Sequence, residues 1–89
     1  MIKNDTTISN KLGLHARASA KLTKLAGSFP CDVFMSRGDR RINAKSIMGV
    51  MMLAAEKGAK VIVETAGSDE QAAMDALLKL IGNKFGEGE

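Results

Sequence analysis

The sequence predicts an α+β fold, an open-faced two-layer sandwich with three helices over one face of a four-stranded antiparallel sheet. Three observations lead there. Segments with period-two alternation and segments with apolar stripes at helical spacing interleave in the order β-α-β-β-α-β-α. The turn Arg37-Gly38-Asp39 folds the middle strands into an antiparallel hairpin. Four short strands cannot enclose a core, so three amphipathic helices must bury their stripes against one sheet face and leave the other to solvent. Pattern alone does not order the remaining strands.

Residues 2–9 read as the first strand, with Ile2, Thr6 and Ile8 in period-two register. Residues 15–26 read as a helix, because Ala18, Leu22, Leu25 and Ala26 share one face; Gly27 is its expected stop, with Pro30 beyond. In 31–36, Cys31, Val33 and Met35 alternate with Asp32, Phe34 and Ser36, and 40–44 return as the hairpin partner. A second helix is expected over 47–55, opened by Ser46 and stopping near Gly58. KVIVET at 60–65 is the clearest strand. Ser68 and Gln71 fit a capping box for a last helix carrying Ala73, Met74, Leu77, Leu78, Leu80, Ile81 and Phe85 on one face. The tail GEGE at 86–89 reads as frayed.

The 89 residues and 9.4 kDa predict one domain, 1–89, burying roughly 60–65% of the unfolded chain's surface. Such a thin core has little room for a substrate cavity, so chemistry is expected at the surface. One cysteine, Cys31, and one histidine, His15, exclude an intrachain disulfide framework and a closed zinc site. No metal and no cofactor are expected. No apolar run approaches the ~20 residues of a membrane span, and MIKNDTTISN lacks the apolar core of a signal peptide. The expectation is a cytoplasmic protein without membrane insertion. A net charge of +3 suits acidic partners. Nucleic acid is an unsuitable partner, since the aromatics are three Phe outside any stacking pattern and no basic stripe is clustered.

The sharpest local feature is Gly13-Leu14-His15-Ala16-Arg17. His15 falls where a polar loop gives way to a helix, whose first N–H groups are unpaired and carry about half a positive charge. Gly13 permits the sharp entry, and Arg17 adds a cation with a two-pronged donor. These surroundings favour a neutral, nucleophilic ring and an anion beside it. Phosphoryl transfer demands little beyond such positioning and charge. A plainer reading stays open, in which His15 only caps the helix and Arg17 is a solvated charge.

The second feature is Ala44-Lys45-Ser46-Ile47-Met48-Gly49-Val50-Met51-Met52-Leu53. Ser46 is a natural N-cap, which by itself accounts for it. A helix this short cannot bury Met48, Met51 and Met52 together, so some are expected on an adaptable docking surface; burial of all three is the alternative. A phosphate on Ser46 would keep the fold and repel an acidic partner through charge.

Together the two segments resemble the signatures of the HPr family, the histidine-containing phosphocarriers of the bacterial phosphoenolpyruvate:sugar phosphotransferase system. The resemblance spans the chain and implies the same open-faced sandwich. It implies that His15 is phosphorylated on Nδ1 by enzyme I and passes the group to IIA domains, with Arg17 and the backbone of Ala16 and Arg17 holding the phosphate. It implies that Ser46 is the regulatory serine of an HPr kinase/phosphorylase. Ala20, Ile47, Met48 and Met51 would form the docking surface, with Lys24 and Lys45 on its rim. Such a protein is a carrier and not an enzyme, and is expected to act as a monomer. The family motif continues with proline where Ala18 stands, so the first turn is expected to rely on alanine's helix propensity. That departure suits an alternative function, a regulatory binding module whose Ser46 state selects partners in carbon or nitrogen control.

Overall fold

In the computed structural model, residues 1–87 are described. Strands β1 (Ile2–Thr7), β2 (Asp32–Arg37), β3 (Arg40–Asn43) and β4 (Lys60–Ala66) form one antiparallel sheet in the order β1-β4-β2-β3. Helices α1 (Ala16–Gly27), α2 (Ile47–Met52) and α3 (Glu70–Gly82) complete the fold. Val33 and Met35 of β2 and Val61 and Val63 of β4 are buried with Ala18, Leu22 and Ala26 of α1 and Ala73, Met74, Leu77 and Ile81 of α3. Each of the larger side chains contributes roughly 1.5–3 kcal/mol by leaving water. The hairpin turns as expected, with Gly38 at φ +61°, the left-handed position that a two-residue hairpin gives to glycine.

The opposite sheet face carries a charged clasp. Arg41 Nε donates to Glu64 Oε2 at 2.9 Å, and its guanidinium lies 4.0 Å from the Phe34 ring centroid. Lys3 Nζ lies 3.8 Å from Glu64 Oε1. Glu64 is thus buried on the solvent side, and the Arg41 hydrogen bond holds its carboxyl below the usual carboxylate range against the opposing effect of burial.

Several boundaries differ from the sequence expectation, each for an identifiable physical reason. Gly27 is the last residue of α1 and not a left-handed stop; Ser28 ends the helix, with both its N–H and its Oγ donating to Leu25 O. Helix α2 stops at Met52 because Ala54 turns left-handed at φ +51° and hairpin arginines take the released carbonyls. Arg37 Nη1 donates to Leu53 O at 3.2 Å and Ala54 O at 2.7 Å, and Arg40 Nη1 donates to Met52 O. The Ser68–Gln71 capping box does not form: the N-cap of α3 is Asp69, and Gln71 bonds Asp75. Glu70 accepts the Gly67 N–H at 3.2 Å and pairs with the N-terminal amine at 3.1 Å, contacts that keep its carboxyl below the usual range. Phe85 lies beyond α3, in a short turn, Lys84–Gly86, where Lys84, Phe85 and Gly86 take φ of +54°, +55° and +75°. This reversal buries Phe85 in the core. The tail is accordingly ordered through Glu87, whose N–H donates to Lys84 O at 2.9 Å; 88–89 lie outside the described residues.

Candidate functional site

The loop before α1 is fixed at three points. Asn10, fully buried, donates from Nδ2 to Gly13 O at 2.8 Å, and the Gly13 N–H returns to Asn10 O at 3.2 Å. Gly13 sits at φ +66°, so close to the chain after α2 that a Cβ would lie 2.4 Å from Ala55 O and 2.7 Å from Glu56 Cα. The Leu14 N–H then donates to Ala55 O at 2.8 Å. Only glycine satisfies both the dihedral and the approach.

His15 follows as the N-cap of α1, extended at φ −75° and ψ 179°. Its Nδ1 accepts the Arg17 N–H at 3.2 Å. Ser19, buried, secures the turn by donating its N–H to His15 O at 2.9 Å and its Oγ to Leu14 O at 3.1 Å. With the Ala18 methyl also buried, the first turn rests on these contacts as well as on alanine's propensity.

The other ring nitrogen meets a carboxylate that the sequence reading placed in a frayed tail. His15 Nε2 lies 2.6 Å from Glu87 Oε2, and Glu87 Oε1 accepts from Asn10 Nδ2 at 3.0 Å. An amide N–H aimed at Nδ1 and a carboxylate at Nε2 assign the ring proton to Nε2 and the lone pair to Nδ1. The Asn10 hydrogen bond and then the His15 pairing hold the Glu87 carboxyl below the usual range, with burial opposing. Lys21 ties the tail down by donating to Phe85 O at 2.7 Å. His15, Ala16 and Arg17 share a concavity of about 690 Å³ with Lys11, Leu12, Lys21 and Glu87. Among the described residues the ring's surroundings therefore hold one carboxylate with three cations rather than positive charge alone. Amides of Ala16 and Arg17 lie in the first helical turn, where no intrahelical acceptor exists.

Ser46 is the N-cap of α2 at φ −106°, exposed, with its Oγ accepting the Gly49 N–H at 3.2 Å. Beyond it, Val50 and Leu53 turn inward while Ile47, Met48, Met51 and Met52 stay exposed at 40%, 65%, 39% and 58%. That excludes the reading in which the methionines are core. Ala20 and Lys24 are exposed three and seven residues after Arg17, on one face of α1, and α1 packs beside α2. Lys45 is half-buried, its Nζ donating to Phe29 O at 2.9 Å, so its ammonium is engaged at the loop that follows α1. Among the described residues no group of three or more His, Cys, Asp or Glu could hold a metal ion. No described helix is long and apolar enough to cross a membrane.

Asn10, Ser19, Lys21 and Glu87 were not foreseen at this site. The available signal was Phe85, a large apolar residue two positions before Glu87, which could anchor the tail. Leu12, 68% exposed on the rim beside His15, is a further apolar surface residue that no periodicity singled out.

A family model described as PTS HPr component phosphorylation site matches residues 2–83. The phosphocarrier protein HPr of Cupriavidus necator is 70% identical over 89 residues, covering the whole of both chains. A crystal structure of HPr-C-His from Thermoanaerobacter tengcongensis superposes with a TM-score of 0.95 at 40% identity, covering 98% of each chain. A second structure from that organism, described as an HPr dimer, matches with a TM-score of 0.79 at 40% identity, covering 98% of this chain and 100% of the other.

Proposed function

Since this chain belongs to the HPr family, the phosphocarriers of the phosphotransferase system, we propose that it accepts a phosphoryl group on His15 Nδ1 from enzyme I and delivers it to IIA domains. The family carries phosphate and does not turn over a small molecule. The observation supporting His15 Nδ1 is its lone pair, directed at the start of α1 while Nε2 is occupied by Glu87.

In this reading the Nδ1 lone pair forms the new N–P bond as the bond to the donor's leaving group breaks. The Arg17 N–H, which donates to Nδ1 in the free ring, moves to a phosphoryl oxygen, joined by the Ala16 N–H and the Arg17 guanidinium. The dispersed positive charge of the helix start and of Arg17 meets charge that develops on those oxygens. The reverse step hands the group to an acceptor histidine without metal or second base.

Ala20, Ile47, Met48 and Met51 form the proposed docking surface, with Lys24 and Lys45 at its basic rim. Methionines repack to fit different partners, as a carrier serving several IIA domains requires. Ser46 is the proposed regulatory phosphoserine of an HPr kinase/phosphorylase. A charge of about −2 there would sit beside Met48 and repel an acidic partner without changing the fold. The carrier is proposed to be cytoplasmic and to work as a single domain, 1–89, and as a monomer.

The test is incubation with enzyme I and labelled phosphoenolpyruvate. An acid-labile label that is lost in His15→Ala is expected. A label that persists in that variant overturns the assignment.

A further inference from the structure

Lys84, Phe85 and Gly86 all take left-handed backbone angles, and two of these are not glycine. Such a run persists only where its surroundings over-determine it. Here Phe85 is locked in the core, Lys21 Nζ holds the Phe85 carbonyl at 2.7 Å, and Asn10 Nδ2 holds Glu87 Oε1 at 3.0 Å. All three contacts serve one placement, Glu87 Oε2 at 2.6 Å from His15 Nε2. Asn10 is itself fixed to the Gly13 carbonyl, so the loop that delivers the ring also delivers the donor that orients the carboxylate.

We infer that Glu87 is a positioning residue for phosphoryl transfer, stabilising through Nε2–H the cation that the His15 ring becomes when Nδ1 bonds phosphorus. The inference rests on His15 as the proposed acceptor. The chemistry balances without a further reactant. The Nδ1 lone pair forms the N–P bond, the donor's bond to phosphorus breaks, the Nε2 proton stays on the ring, and the ring gains the positive charge given up by the donor. A carboxylate already on that proton offsets the charge with little reorganisation, as the buried aspartate does for the histidine of a serine protease triad. Arg17 and Lys21 from α1 and Lys11 from the preceding loop face the same concavity. They favour the phosphoryl oxygens, and among the described residues lining the concavity Glu87 supplies the negative charge beside the ring.

The experiment compares the wild-type chain with Glu87→Gln and Glu87→Ala. Single-turnover transfer from phosphorylated enzyme I gives the rate, and phosphorus NMR follows the phosphohistidine through a pH titration. Glutamine removes the charge and keeps one acceptor oxygen, enough for the Asn10 amide or for Nε2–H but not for both. It is expected to slow acceptance about tenfold, the difference between a charged and a neutral hydrogen bond. It should also lower the pH at which the phosphorylated ring loses its Nε2 proton by about one unit, the same factor. Alanine should slow transfer further. If Glu87→Gln matches wild type in both rate and titration, the inference is overturned while His15 labelling stands. If wild type takes no label on His15, the function proposed above fails instead.

Discussion

Replacing Gly13 with alanine tests how the site is delivered. The new Cβ would lie 2.4 Å from Ala55 O, at least 0.6 Å inside the 3.0 Å below which real contacts essentially do not occur. Both obstructing atoms, Ala55 O and Glu56 Cα, belong to backbone, so no side chain can swing aside. A left-handed alanine costs about 1–2 kcal/mol. Relieving the contact pulls the Leu14 N–H away from Ala55 O, and a buried group left unpaired costs about 1–3 kcal/mol. The sum is roughly 3 kcal/mol, a fall in Tm of roughly 12–24 °C for a domain of this size. Thermal and urea unfolding followed by circular dichroism measure it. Gly38→Ala is the control, because Gly38 has a similar φ of +61° but open space around it, and should show the strain alone. The variant that folds should also accept phosphate at least about tenfold more slowly, because sub-ångström displacement of a nucleophile is costly. Equal destabilisation by the two substitutions would refute the close-approach argument.

The Arg41–Glu64 clasp should appear in acid. The folded Glu64 carboxyl is held below its unfolded value, so its contribution is present above about pH 4.5 and lost as pH falls through the lowered folded value. Urea midpoints between pH 7 and pH 3 should therefore drop more steeply for wild type than for Glu64→Gln; parallel curves would exclude the clasp. Ser46→Ala should cost about 1 kcal/mol by urea unfolding through the lost cap on the Gly49 N–H. Met48→Asp, at a side chain 65% exposed, should leave stability within about 0.5 kcal/mol. Its transfer to IIA domains, followed by the decay of phosphohistidine, should nevertheless slow at least about tenfold if the α2 face docks partners.

Much of the architecture was legible because short-range periodicity and burial coincide. Cys31, Val33 and Met35 alternate into the core as expected, and Leu22 and Ala26 lie on the buried stripe of α1. Placing β4 between β1 and β2 was not legible, since that register is set by pairing over sixty residues of separation, as in Ile2↔Thr65. Helix ends were misjudged where a remote group intervenes. The stop of α2 depends on Arg37 and Arg40 from the hairpin, and the start of α3 depends on Glu70 rather than on Ser68.

The site divides the same way. Positions such as His15 and Ser46 announce themselves locally, because an N-cap next to a change in pattern is a sequence feature. Glu87 reaches His15 across 72 positions, through the left-handed turn at 84–86, and nothing in GEGE signals that reversal. Lys45 shows the converse, a charge read as rim whose ammonium is also spent on the Phe29 carbonyl in the loop after α1.

The most direct measurement is phosphorus–nitrogen coupling in the chain labelled with nitrogen-15 histidine and phosphorylated by enzyme I. One-bond coupling to Nδ1 of His15 is expected, with Nε2 still protonated. Coupling to Nε2, or phosphorus bonded to a residue other than His15, would contradict the proposed function.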